Sequence, residues 1–171
     1  MPGNTPLVSE LFAKISKAET DDYKVFLLQN DDSFTVKTLL QCAFSPNINF
    51  DLPETNPPYN EDDSPEGLSV TSLHREVKKF VYFVPGHQSY VQNKIKREQI
   101  FIEMLEGLHD SEAKLVLDVK AKQIPGISHE VAHRAFPNVV AEPPVVVKEE
   151  EPAVEKPKPK PKPKKKKTKK E

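Results

Sequence analysis

Proline sets the limits of every regular element this chain can form. It lacks a backbone N–H and holds φ at about −65°, so it opens or ends a helix and is not carried inside one. Thirteen of the 17 prolines crowd into two regions. Pro46, Pro53, Pro57, Pro58 and Pro65 fall among Asn and Asp residues and make 45–70 a long loop broken by turns, a length that is unusual inside a compact domain. Beyond Pro137 the text changes again. Pro143, Pro144 and Pro152 interrupt short Val runs, Glu149–Glu151 follow, and a Lys-Pro alternation ends in four consecutive lysines. No amphipathic period survives there. Residues 142–171 are therefore expected to be a disordered tail that favours extended polyproline II.

Between these regions the apolar residues recur at helical spacing. Leu7, Val8, Leu11, Phe12, Ile15 and Ala18 define a first helix, with Thr5 as a candidate N-cap and Pro6 at its first position. Thr20, Asp21 and Asp22 suit the start of a second, carrying Val25, Phe26 and Leu28. Ser33 opens a third, with Phe34, Val36, Leu39, Leu40 and Phe44. Leu73, Val77, Phe80, Val81 and Val84 form a fourth that stops at Pro85-Gly86, although Phe80–Val84 is β-branched and aromatic enough to suit a strand. Ile95 to Leu108 makes a fifth, with apolar positions 95, 101, 102, 105 and 108. Asp110 or Ser111 caps a sixth, whose inner face is Leu115, Val116 and Val119. A short seventh follows Gly126 and Ser128, with Val131, Ala132, Ala135 and Phe136 turned inward. The expected fold class is all-α: a bundle of about seven short helices over 1–141 with a long acidic loop and a basic tail. Cys42, between Leu40 and Phe44, reads as a core residue, and a single cysteine excludes an internal disulfide.

Charge divides the chain in the same place. Residues 1–141 hold 14 basic and 20 acidic side chains, whereas 142–171 hold 11 basic and 6 acidic, so an acidic body carries a basic tail. No apolar run approaches the roughly 18–20 residues of a membrane span and no signal peptide is legible at the start, so a soluble protein without a membrane partner is expected. The ten lysines of the tail, Lys156, Lys158, Lys160, Lys162, Lys164, Lys165, Lys166, Lys167, Lys169 and Lys170, must attract polyanions. That points to DNA, or RNA, as a partner, with non-specific and salt-dependent contact. The same tail could instead serve solubility, act as an import-like signal or pair with the acidic body.

Two shorter strings invite catalytic readings. His129-Glu130-Val131-Ala132-His133 matches H-E-x-x-H, in which two histidines on one helical face bind zinc and the glutamate acts as base. Such a site needs a third ligand and a cleft, and the helix available before Pro137 is only about two turns long. Asn56-Pro57-Pro58-Tyr59 matches the tetrapeptide of DNA amino-methyltransferases that holds a flipped base. That chemistry also needs a methyl donor on a Gly-containing strand-to-helix turn, which none of the five glycines forms.

Two longer stretches carry a resemblance. Glu10-Leu11-Phe12-Ala13-Lys14-Ile15, Tyr23-Lys24-Val25-Phe26-Leu27-Leu28-Gln29-Asn30 and Leu39-Leu40-Gln41-Cys42-Ala43-Phe44 with Pro46-Asn47-Ile48 resemble the opening of the helical N-terminal DNA-binding domain of phage-type ATP-dependent DNA ligases. Ala113 to Lys120, Gly126-Ile127-Ser128 and Val131 to Pro137 are similar to that domain's closing helices. Together they resemble an uncharacterised family of small tailed-bacteriophage proteins, in which this chain is placed. The resemblance covers about 100 of the first 140 residues. It implies a DNA-facing last helix and a setting in the cytoplasm of an infected cell. Gly126 and Ser128 would offer backbone N–H groups to phosphate, joined by Lys120, Lys122 and Arg134, with Lys94, Lys96 and Arg97 as a second contact. The Lys-x-Asp-Gly motif of ligases is absent from this sequence. The expectation is thus a non-catalytic DNA-binding accessory protein with no cofactor and no small-molecule substrate. A protein-protein adaptor for a replication or transcription component is the alternative, and a small zinc hydrolase using His129 and His133 is a third. The acidic run 51–66 would repel phosphate and suits a protein partner or solvent.

Overall fold

The computed structural model describes residues 6–65 and 68–142. Seven α-helices follow one another: α1 Val8–Ser16, α2 Asp21–Asn30, α3 Phe34–Phe44, α4 Leu73–Glu76, α5 Lys94–Gly107, α6 Asp110–Lys120 and α7 His129–Ala135. α4 runs on as a 3-10 helix, Val77–Tyr82, so the segment that also suited a strand is helical as far as Tyr82 and turns at Phe83 and Val84. The all-α class is therefore realised, and among the described residues there is no strand.

The starts of the helices follow local chemistry. The Oγ of Ser33 accepts from the N–H of Val36, that of Ser128 from Val131, and Asn93 Oδ1 from Lys96. Each satisfies one of the N–H groups that a helix start leaves unpaired. Three caps differ from expectation, the first being Thr20, which holds the N-cap position of α2 without a side-chain hydrogen bond. His109, not Asp110 or Ser111, caps α6, its Nδ1 accepting from Ser111 N. Thr5 lies outside the described residues, and α1 starts at Val8 with Leu7 at the N-cap. The reason is a long-range one. Glu112 on α6 is fully buried and offers one carboxylate oxygen to Val8 N at 3.1 Å and the other to Leu73 N at 2.9 Å. One carboxylate thus starts α1 and α4, and a local side-chain cap at either is redundant.

α6 lies at the centre, packed against α1, α3 and α5, while α7 packs on α2 and α3. Leu115, Val116 and Val119 enter the core as their spacing requires, and Cys42 is buried with them. Burial pushes the Cys42 thiol up to about 11. A second part of the core is aromatic: Phe83 meets Phe101 edge-on at 5.4 Å, and Phe50 meets Phe80 edge-on at 5.3 Å. Phe50 comes from the long loop. Leu52 and Tyr59 also pack against the core, so this loop is a covering layer and not a solvated excursion.

Three apolar residues expected inside face out. Phe26, Phe34 and Ile95 are all exposed, Ile95 at 78%. α5 turns its Arg97 inward instead, at 3% exposure, and this inversion bears directly on the expected DNA contacts.

Candidate nucleic-acid interface

Arg97 sits one turn into α5, where its guanidinium faces the loop. Nε donates to Asp51 O at 2.6 Å, Nη2 to Asp51 Oδ2 at 2.7 Å, and Nη1 to Val91 O at 2.7 Å and Gln92 O at 3.3 Å. The Tyr90 ring lies 5.1 Å away on its face, and Tyr90 itself donates its hydroxyl to Asp51 Oδ2, a bond that holds the phenol above its usual range. A buried guanidinium is tolerable only when its donors are met in this way.

Lys120, the last residue of α6, donates to Glu54 O, Thr55 O and Asn56 Oδ1 at 3.3, 3.1 and 3.4 Å. Lys122, two residues on, donates to Cys42 O at 2.6 Å, Ser45 O at 3.0 Å and Ile48 O. It therefore caps the carboxyl end of α3, where carbonyls are left without helical partners. Reaching that position puts the backbone of Lys122 at φ 61°, in the left-handed region that L-residues avoid. Desolvation lowers both ammonium groups from the ordinary lysine value.

Arg97, expected at phosphate, is instead buried against the loop at 3% exposure, while Lys120 and Lys122, expected there too, are half-buried and donate to carbonyls of the loop and of the end of α3. The loop whose acidic residues were expected to repel DNA and the cations expected to bind it are two halves of one intramolecular contact. All three cations serve to hold residues 42–56 on the body. Periodicity cannot reveal this, because the partners lie 46 to 80 positions apart in sequence.

The remaining expected residues are at the surface. Lys94 and Lys96 are exposed at the start of α5, Lys94 standing 3.8 Å from Glu98. Gly126 and Ser128 are exposed, but each has a structural duty. Gly126 has φ 76°, and a Cβ there would stand 2.4 Å from the Ser16 backbone, so the turn lies directly against α1. Ser128 caps α7. Arg134 pairs with Asp22 across to α2, which raises its guanidinium further. The ten expected tail lysines from Lys156 to Lys170 lie outside the described residues.

The two histidines of the H-E-x-x-H string are engaged elsewhere. His129 Nε2 is 2.9 Å from Ala141 O and His133 Nδ1 is 2.8 Å from Val140 O. A carbonyl only accepts, so both ring nitrogens are donors. His129 also stacks on Phe44 at 5.4 Å. The pair clamps the segment that leaves the body toward the tail. His74, His87 and His109, the sequence's other histidines, bond to Thr35, Ser89 and Ser111. Among the described residues no group of three or more His, Cys, Asp or Glu could hold a metal ion.

Asn56, Pro57 and Pro58 line a cavity of about 260 Å³ with Leu52, Phe101 and Lys120. The Asn56 amide oxygen already receives Lys120, and the all-helical surroundings lack the strand-to-helix turn on which a methyl donor is held. Among the described residues no helix is long and apolar enough to cross a membrane.

No curated protein and no solved structure matches this chain. Residues 11–126, from the middle of α1 to the glycine that precedes α7, match the family of unknown function DUF6433. That is more than half of the chain, and it takes in the loop together with the three cations that pin it; the chain belongs to this family of unknown function.

Proposed function

We propose that the chain is a non-catalytic nucleic-acid-binding accessory protein whose contact with DNA or RNA resides in its tail and not in its folded body. The observation that carries this reading is the commitment of Arg97, Lys120 and Lys122 within the fold. With these cations engaged, the densest positive charge in the chain is the run of ten lysines between Lys156 and Lys170. Such a run recognises charge and not base edges, so the contact is non-specific and strengthens as salt falls. The resemblance to a ligase DNA-binding domain implies contact through the last helix of the body; this reading moves the contact to the tail and keeps from the resemblance only the tailed-phage setting in the infected cell.

The test uses the full chain and a full-length variant in which the ten lysines are replaced by glutamine. Fluorescence anisotropy on duplex DNA across a salt series reads affinity and its salt slope. The variant is expected to lose affinity by at least about tenfold and to flatten the slope, because the released counterions came from the tail. Equal binding by the variant would overturn the reading and return attention to Arg134, Lys94 and Lys96.

A protein-protein adaptor is the second reading. It is favoured by the large apolar side chains left at the surface, among them Leu68, Val70 and Ile95, 72 to 87% exposed.

A further inference from the structure

α2 is apolar on two sides. Its inner side places Leu28 in the core, with Val25 and Leu27 half-buried, against α1 and α7. Its outer side carries Tyr23 and Phe26, 53 and 59% exposed, whose rings stack at 6.2 Å with 14° between their planes. A surface helix ordinarily turns polar residues outward, so two exposed stacked rings on its outer side depart from that pattern.

Carboxylates bracket the two rings. Glu19, Asp21 and Asp22 precede them and Asp31 and Asp32 follow. Lys24 lies 3.6 Å from Asp21, Lys37 pairs with Asp32 and Arg134 with Asp22. Even so, the side chains of Asp21, Asp22 and Asp32 remain 63, 84 and 66% exposed, and each carboxylate keeps room for a second cation. An aromatic ledge with an acidic border fits a ligand that alternates prolyl rings with positive charge. Prolines in polyproline II lie flat on aromatic side chains, and ammonium groups sit over ring faces or beside carboxylates.

The chain itself contains that ligand. Lys156-Pro157-Lys158-Pro159-Lys160-Pro161-Lys162-Pro163 alternates the two residue types without interruption. The body releases the chain at Ala141, held by His129 on α7, and α7 packs on α2. The 14 residues between Ala141 and Lys156 span about 43 Å at polyproline II rise, against a radius of gyration of about 14 Å for a body of this size. A tether of that length supplies an effective concentration in the millimolar range, so a weak contact suffices.

We infer that residues 156–163 dock in cis on the Tyr23–Phe26 face of α2, and that nucleic acid competes with this face for the same lysines. The body thereby restrains the tail, and a polyanion is bound only by displacing it. The competition rests on the proposal that the tail contacts nucleic acid; the docking does not.

Two measurements on full-length protein separate the parts. In the absence of nucleic acid and at low salt, backbone amide NMR shifts of α2 are compared between the wild type and the ten-lysine glutamine variant. Docking is expected to move the amides around Tyr23 and Phe26, with the difference collapsing in high salt and independent of protein concentration. Identical shifts would overturn the docking, and a difference that grows with protein concentration would assign the face to the tail of a second copy and overturn docking in cis. DNA affinity is then compared between the wild type and the Tyr23→Ser/Phe26→Ser variant, whose changes are confined to exposed side chains. The variant is expected to bind about threefold more tightly, the size of one released cation–π contact. Unchanged or weaker binding would overturn the competition. If the wild type binds no DNA, the functional reading fails while the NMR comparison still decides the docking.

Discussion

At the scale of single residues, the molecule is held by a few charged side chains that have left the surface. Arg97 should be replaceable by Met at constant length only at a cost of about 3 kcal/mol, because several charge-assisted bonds are lost at a buried site. Thermal unfolding checks this, and the salt slope of DNA binding should not move, which separates the loop-holding role from phosphate contact. Cys42 makes a second prediction. Its thiol is held at about 11 against an unperturbed value of 9.0, so the native protein keeps a proton that the unfolded chain releases. The associated stability is fully present below pH 9 and is lost as pH rises toward 11. Cys42→Ala should therefore flatten the fall of Tm between these values relative to the wild type, and native thiol reactivity toward a disulfide reagent at pH 8 should be slow. The Cys42 position was legible from its apolar neighbours. Arg97 was not, since a charged residue next to Ile95 at the start of a helix reads as solvated, and only the carbonyls arriving from Asp51, Val91 and Gln92 make its burial favourable.

At the scale of elements, the helices and their order were legible because capping and periodicity are local. Ser33 and Ser128 cap α3 and α7 as their sequence places them. Ser128→Ala should cost about 1 kcal/mol by chemical denaturation, the ordinary loss for an N-cap. Gly126→Ala should cost more than about 1 kcal/mol, because a Cβ at φ 76° is strained and would meet the Ser16 backbone at 2.4 Å. The three failures of helical reading share one cause. Phe26, Phe34 and Ile95 have the right residue type for a core but sit on faces that the neighbouring helices do not cover, and a single helix's spacing does not state which face its partners take. The candidate site was less legible than the helices. Lys120 and Lys122 cluster in sequence near the Gly126 turn, which is the pattern of a phosphate contact, yet a lysine reads the same whether its ammonium meets phosphate or the carbonyls of Glu54, Cys42 and Ser45.

At the scale of the whole molecule, charge is segregated: Arg97, Lys120 and Lys122 hold the loop, Lys24, Lys37, Lys79, Lys94, Lys114 and Arg134 stand in ion pairs, and ten lysines lie in one run between Lys156 and Lys170. DNA affinity should accordingly fall with salt along a slope no steeper than about −9, the limit for ten phosphates, and Lys122→Met should lower the unfolding temperature without changing that slope. By itself the sequence determined the all-helical class, the order of seven helices, the serine starts of α3 and α7 and the division between an acidic body and a lysine-rich tail, since each depends on residues within about a turn of one another or on composition alone. Only the tertiary structure decided that Glu112 starts two helices at once, that the long loop is a covering layer, that Arg97 is buried and Lys120 and Lys122 meet the loop's carbonyls, and that Tyr23 and Phe26 face out. These depend on which segments distant in sequence meet, and a side chain's role there is set by the partner that packing brings to it.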